Sequence, residues 1–192
     1  MPPESSDATL PQLATLRNAE FVALRRTISG RGTARMVIMP VTCAIWAGLA
    51  LMLVLFGQLP VAGLLPLAVL VGGFEAIHAL HVGAERIGRY LQVYYEAGPD
   101  GPQWETAAMT VGPALPGGGV DPLFSVVFVA AAAINMVMTL EPPPTWEELA
   151  VVGACHAVFV FRVVRARIAA ARQRAVELES FRALRLGQRD RK

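Results

Sequence analysis

The chain has 192 residues, of which 54% are hydrophobic and 17% are charged, and it carries seventeen Lys and Arg against fifteen Asp and Glu. Soluble domains usually contain about 25% charged residues, so this composition favours a membrane protein. The sequence has no Gly-rich phosphate loop, no Cys-x-x-Cys pair and no plausible Ser–His–Asp set, which disfavours a nucleotide-using or hydrolytic enzyme.

Residues 1–33 are predicted to form a cytoplasmic amphipathic helix. Thr9 and Gln12 have the spacing of a capping box, and the helix is expected to end at residues 29–32, where two glycines occur. Its apolar side chains roughly follow helical spacing, with arginines on the other side. Two interpretations remain open: the helix lies on the anionic inner leaflet, or it docks onto the protein's own cytoplasmic helices.

Residues 34–96 are predicted to form a transmembrane hairpin with a cytoplasmic extension. From residue 36 to residue 74 the only ionisable side chain is Cys43. That length fits two crossings of about 20 residues each, broken at residues 57–60 by Gly and Pro. The spans are therefore placed at about 36–57 and 60–84, and a cytoplasmic helix follows at 85–96. Residues 97–121 are rich in Gly and Pro and are interpreted as a cytoplasmic loop.

A second hairpin is predicted over residues 122–165, with spans at about 122–140 and 146–165. Asp121 is expected to cap the first of these helices, with Pro122 at its first position. Thr145 and Glu148 have the spacing of a capping box for the second. No proline follows it, so this helix should continue to about residue 186, and 166–192 form a basic cytoplasmic helix and tail.

The basic residues predict the orientation of these four spans. Five precede the first apolar run, Arg86 and Arg89 follow the second, and the remaining ten lie between Arg162 and Lys192. Cationic segments beside spans stay on the cytoplasmic side, so both termini are expected in the cytoplasm. Sixteen Arg against one Lys suggest a GC-rich bacterial genome, and hence the bacterial inner membrane. The predicted fold class is therefore all-α: a polytopic membrane protein with four transmembrane helices and cytoplasmic extensions of spans two and four.

Polar residues inside the spans are the candidate site, because ionisable groups in a membrane usually pair or serve function. We predict an intramembrane polar network of Glu75, His78, Asn135 and His156. A stripe on span two continues it into the cytoplasm; this cytoplasmic stripe comprises Glu85, Arg86, Arg89, Gln92 and Glu96.

Three hypotheses account for these residues. In the first they are structural and fix helix packing. In the second they bind a cofactor: haem at His78 and His156, or a transition metal at Glu75, His78, His81 and His156. The estimated depths of His78 and His156 differ by about 14 Å, which argues against a simple bis-histidine haem. In the third they form a proton or ion path shared between subunits.

The function that the sequence favours is a non-enzymatic accessory, assembly or scaffold subunit of a larger membrane complex, with no bound cofactor expected. A haem- or metal-binding redox subunit is the alternative, and an oligomeric channel or proton-conducting component is the third. The expected partners are the anionic inner leaflet and a protein, or a second copy, bound through the cytoplasmic helices. No nucleic acid is expected, since no binding motif accompanies the positive charge.

Overall fold

The computed structural model describes residues 10–56, 60–96, 103–111, 121–141 and 143–189, and within these ranges it contains helices and turns but no strand. The helices are α1 (Leu10–Phe56), α2 (Leu64–Tyr94), α3 (Trp104–Val111), α4 (Ser125–Met138) and α5 (Trp146–Arg189), with a 3₁₀ turn at Pro60–Gly63 before α2. Segments of α1, of α2 with its 3₁₀ turn, and of α5 are long and apolar enough to cross a membrane. The predicted all-α class is confirmed, and the chain has the character of a membrane protein.

Helix α2 lies at the centre of the bundle and packs against every other helix. Helix α1 runs antiparallel to it: Thr42 lies against Gly73, and Arg17 near the start of α1 donates a hydrogen bond to the Tyr94 carbonyl at the end of α2. Helix α5 runs parallel to α2, and the shorter α4 runs antiparallel to both. The chain therefore folds as two helical hairpins that share one core.

The apolar core lies between α2, α4 and α5. Phe74, Phe128 and Phe159 are buried and meet edge to face, with ring centroids 5.4 to 6.4 Å apart. Each such aromatic pair adds about 0.5 to 1.5 kcal/mol beyond the area it buries. These rings join one helix of the first hairpin to both helices of the second.

The predicted end of the N-terminal helix at residues 29–32 is wrong. Helix α1 continues through these residues and into the apolar run, for 47 residues in all. Two glycines in a helix cost about 1 kcal/mol each, and packing of α1 along α2 offsets this cost. The Arg31 guanidinium, for example, lies over Gly83 where a Cβ would otherwise stand. Of the two interpretations of this segment, docking onto the protein's own helices is the one observed.

Helix α4 is shorter than the predicted third span. It covers 14 residues, about 21 Å at 1.5 Å per residue. The Asp121 carboxylate accepts hydrogen bonds from the backbone N–H groups of Leu123 and Ser125, and Phe124 has a left-handed φ of 51°. The chain therefore turns before the helix begins, and the predicted place of Pro122 at the first helical position is wrong.

Helix α5 is close to the prediction. The Thr145 hydroxyl accepts the Glu148 backbone N–H at 3.3 Å, and the Glu148 carboxylate accepts the Thr145 N–H at 2.9 Å, so the capping box is confirmed. The helix continues without a break to Arg189. The interpretation of residues 97–121 as a loop missed α3; residues 97–102 and 112–120 lie outside the described ranges.

The long helices continue together beyond the apolar part of the bundle. We call this part the helical extension; it comprises residues 10–34 of α1, 82–94 of α2, all of α3, and 166–189 of α5. Phe181 of α5 packs edge to face on Tyr90 of α2, with 5.9 Å between ring centroids. The second half of α5 therefore packs on α2.

Candidate functional site

Glu75 and His78 lie one turn apart on α2 and share a partner on α5. Arg162 Nη2 donates to the Glu75 carboxylate at 2.8 Å and to His78 Nδ1 at 3.3 Å. The side chains of Glu75 and Arg162 are 43% and 40% exposed, so this cluster lies on the surface of the bundle and not in its interior. The acid that the sequence places inside a span is thus neutralised by the first arginine of α5.

His81 lies one turn further along α2 and has a partner on α1. Arg35 Nη1 donates to His81 Nδ1 at 3.0 Å and to the Pro122 carbonyl at 3.4 Å. His81 is buried, and the Nε of Arg35 has no hydrogen-bond partner among the described residues. Through the Pro122 carbonyl, Arg35, the last basic residue of α1, also joins the first hairpin to the second.

Asn135 and His156 form a separate cluster near the opposite end of the apolar core. The Asn135 Nδ2 group donates to His156 Nε2 at 3.0 Å and to the Gly63 carbonyl at 2.9 Å. His156 donates its Nδ1–H to the Val152 carbonyl at 2.8 Å, and Trp46 Nε1 lies 3.4 Å from Asn135 Oδ1. Asn135 is only 2% exposed, and its buried amide links α4 to α1, to α5 and to the 3₁₀ turn before α2.

A mostly apolar cavity of about 330 Å³ opens beside this second cluster. Its walls come from the end of α1, the 3₁₀ turn and the end of α4; Ala50, Leu53, Pro60, Gly63 and Thr139 are among the lining residues. Asn135 contributes to the lining, but its amide hydrogens already bond to His156 and Gly63.

The four residues of the predicted intramembrane network are therefore divided between two clusters. Glu75 and His78 bond to Arg162, whereas Asn135 and His156 bond to each other. His78 and His156 are not brought together as a pair of haem ligands would be. Within the described part of the chain, no three His, Cys, Asp or Glu side chains gather in a group that could hold a metal ion.

Glu177 of α5 joins the two long helices of the extension. It accepts hydrogen bonds from Arg89, from both Nε and Nη2 of Arg86, and from Gln173 at 2.9 Å. Arg89 is 4% exposed and also bonds Glu85 at 3.2 Å. Burial alone would raise the pKa of Glu177, but the bonds from Gln173, Arg89 and Arg86 lower it below its usual value of 4.5. Glu177 is therefore charged at neutral pH and balances a buried arginine.

Glu20 connects α1 to the end of α2. Its two carboxylate oxygens accept the hydroxyl groups of Tyr90 at 2.9 Å and Tyr95 at 2.6 Å. Burial, together with this hydrogen bond, raises the pKa of Tyr95. Both hydroxyl groups therefore remain protonated donors at neutral pH.

Glu96, at the end of the cytoplasmic stripe, caps α3. Its carboxylate accepts the backbone N–H groups of Glu105 at 2.7 Å and Thr106 at 2.8 Å, and also the Thr106 hydroxyl. A carboxylate at this position also complements the positive end of the helix dipole. Burial raises the pKa of Glu105, although the Arg25 guanidinium lies 2.6 Å away. Of the remaining stripe residues, Gln92 is half-buried on α2.

Three partners of the candidate site were not predicted from the sequence: Arg35, Arg162 and Glu177. For Arg35 a signal existed. An antiparallel hairpin that turns at residue 58 pairs position 35 with position 81, which is the contact observed. No comparable rule was available for Arg162 and Glu177, because the relation of α5 to α2 depends on how the two hairpins pack.

Comparisons with protein-family models, with curated proteins and with solved structures found no match for this chain.

Proposed function

We propose that this chain is a four-span protein of the bacterial cytoplasmic membrane, with both termini in the cytoplasm. In this proposal it serves a larger membrane complex as a non-enzymatic accessory, assembly or scaffold subunit. Its helical extension is the part that binds the partner protein.

The position of α4 supports a fourth crossing. The turn before α4 lies beside Arg35, and Asn135 near its other end lies beside Gly63. The segment from Asp121 to Glu141 therefore covers the same layer as the apolar parts of α1 and α2. Within the described ranges, the basic residues lie near the Arg35 end of this layer or beyond it, which supports the proposed orientation.

The contacts of Glu177 carry the proposed role. This carboxylate holds α5 against α2 through Arg86 and Arg89, well outside the apolar core. Polar side chains of the extension bond to one another across helices, and these bonds hold the helices in fixed positions to which a partner protein could bind. Apolar side chains on the outside of α5, Ile168, Val176 and Leu184, are exposed and available to a partner protein.

Arginines on α5 support a contact with lipid as well. Arg165 and Arg172 are exposed on the segment of α5 that leaves the apolar layer. A basic residue near an anionic membrane surface contributes about 1 kcal/mol of attraction. This attraction would hold the start of the extension at the inner leaflet.

Photocrosslinking in native membranes tests the role. A photoreactive residue replacing Val176, in the extension, should form an adduct with a partner protein. The same residue replacing Val126, which is equally exposed on α4, should form none. The identity of the adduct should be the same when the probe replaces Leu184. Extension positions that give no adduct above the Val126 control would contradict the proposal.

The cofactor and channel alternatives have their own tests. A haem absorbance band, or stoichiometric metal that is lost when His78 or His156 is replaced, would overturn the accessory role. Proton or ion flux in liposomes that falls sharply in Glu75→Gln would support a conducting role instead.

Topology is tested by labelling single cysteines at residues 141 and 188, which should be accessible from opposite sides.

A further inference from the structure

The ion pair between Glu75 and Arg162 lies in an unusual place. Glu75 is 15 residues after Pro60, or about 22 Å along the helix at 1.5 Å per residue. A hydrocarbon core of about 30 Å would extend beyond it. Both side chains are nevertheless about two-fifths exposed on the outside of the bundle. Charged groups within a membrane normally face protein or water, so we expect another molecule to shield this pair from the lipid chains.

The pair lies at the edge of a helix face whose other residues are exposed. We call it the open face of α2; it begins at Val61 in the 3₁₀ turn and continues on α2 through Leu65, Ala68, Gly72, Glu75 and Ala79. These positions alternate in steps of four and three residues, which is the spacing of a helix that packs on another helix at a small angle.

Gly72 is unexplained within a single copy of the chain. A Cβ added to it would meet no atom within 4 Å, whereas one added to the adjacent Gly73 would collide with Thr42 of α1. A glycine in a helix costs about 1 kcal/mol relative to alanine. Such a cost is common where a second helix approaches closely, since small residues allow backbones to meet.

We propose that a second copy of this chain covers the open face of α2, related by a two-fold axis parallel to the spans. The charges favour this occupant. Each Glu75 then lies between Arg162 of its own chain and Arg162 of the partner subunit, and four charges alternate in a ring. A lipid phosphate would be attracted to Arg162 but repelled by Glu75, so it complements only half of the patch. The proposal rests on the membrane placement above and is independent of the accessory role.

Cysteine crosslinking in membranes tests the interface. In a chain with Cys43 and Cys155 replaced by alanine, Ala79→Cys on the open face should give a crosslinked homodimer with a short bismaleimide. Val126→Cys, on the exposed side of α4, is the matched control and should not. A crosslinked fraction at Ala79→Cys that is no greater than at Val126→Cys overturns the proposal.

Charge exchange tests the ring. Glu75→Arg and Arg162→Glu each place four like charges at the axis, so each should reduce the crosslinked fraction by about tenfold or more. Co-expressing the two variants with different tags should restore crosslinking between them, because one then carries two positive and the other two negative charges. The double variant Glu75→Arg with Arg162→Glu restores both kinds of pair and should crosslink as the starting protein does.

The double variant also controls for folding, since it retains the ion pair within each copy. If it is folded but monomeric, or if either single variant crosslinks normally, the ring does not exist. A monomer that retains tightly bound anionic lipid, lost in Arg162→Glu, would assign the patch to a lipid headgroup and overturn the proposal. None of these results affects the crosslinks predicted for Val176.

Discussion

Replacing Glu177 by Gln should detach the second half of α5 from α2. Gln has nearly the same shape but no charge, and it leaves Arg89, which is 4% exposed, with only Glu85 to balance it. Removing one partner of a buried ion pair typically costs 3 to 5 kcal/mol. Because the Gln amide oxygen still accepts one bond and Glu85 remains, we expect a loss of about 2 to 4 kcal/mol.

Hydrogen exchange measured by mass spectrometry in lipid nanodiscs reports this loss. Amides of residues 172–189 should exchange about 30- to 700-fold faster in Glu177→Gln, since each 1.4 kcal/mol of opening free energy is a factor of about ten. Glu179→Gln is the matched control, because Glu179 is exposed on the same helix and makes no ion pair with any described residue. Equal exchange in the two variants would refute the reasoning.

The same experiment has a predicted pH dependence. The pKa of Glu177 is lower in the folded protein than its usual value of 4.5, so its contribution is fully present above that value. It is lost as the pH falls below 4.5 through the lowered pKa. The difference between wild type and Glu177→Gln should therefore be constant near neutral pH and shrink in acid. A difference that grew as the pH fell would contradict this assignment.

Three further predictions concern other contacts. Asn135→Ala should lower the free energy of unfolding in detergent by about 1 to 3 kcal/mol, measured by circular dichroism during SDS titration. Ile134→Ala, on the exposed side of α4, removes a larger side chain but should cost less. Equal losses would contradict the buried amide cluster. Gly73→Ala should destabilise the protein by about 1 to 3 kcal/mol, because a Cβ there collides with a side chain of α1. Gly48→Ala is the control, since a Cβ there meets no atom, and its thermal unfolding midpoint should stay close to that of the wild type while that of Gly73→Ala falls. Glu96→Gln should cost about 1 kcal/mol of capping energy and speed amide exchange in α3 several-fold, and unchanged exchange there would exclude the cap.

The elements that local rules govern could be predicted from the sequence. The capping box at Thr145 and the length of α5 follow from neighbouring residues alone. The continuity of α1 could not be predicted from neighbouring residues, because Gly30 and Gly32 resemble a helix end and only packing on α2 keeps the helix intact. Helix α3 was hidden for a similar reason: its cap, Glu96, lies outside the segment that it stabilises.

The residues of the candidate site could be predicted from the sequence, but their hydrogen-bond partners could not. Glu75, His78 and His156 could be identified from the sequence, because ionisable residues are rare in apolar spans. Their partners depend on the lateral order of the helices, which periodicity does not contain. In the sequence Arg162 is only the first of ten C-terminal basic residues, yet its position beside Glu75 makes it an ion-pair partner.

The close approach of α1 to α2 at two glycines bears on the order in which the protein assembles. Thr42 occupies the notch at Gly73 and Arg31 the notch at Gly83, eleven residues apart on one helix and ten on the other. Sliding either helix by one turn would empty both notches and drive Thr42 and Arg31 into neighbouring side chains. All four residues belong to the first 83, so the first hairpin carries its own alignment. The first hairpin can therefore fold while the ribosome is still synthesising the second, and the second hairpin then packs against helices that are already aligned.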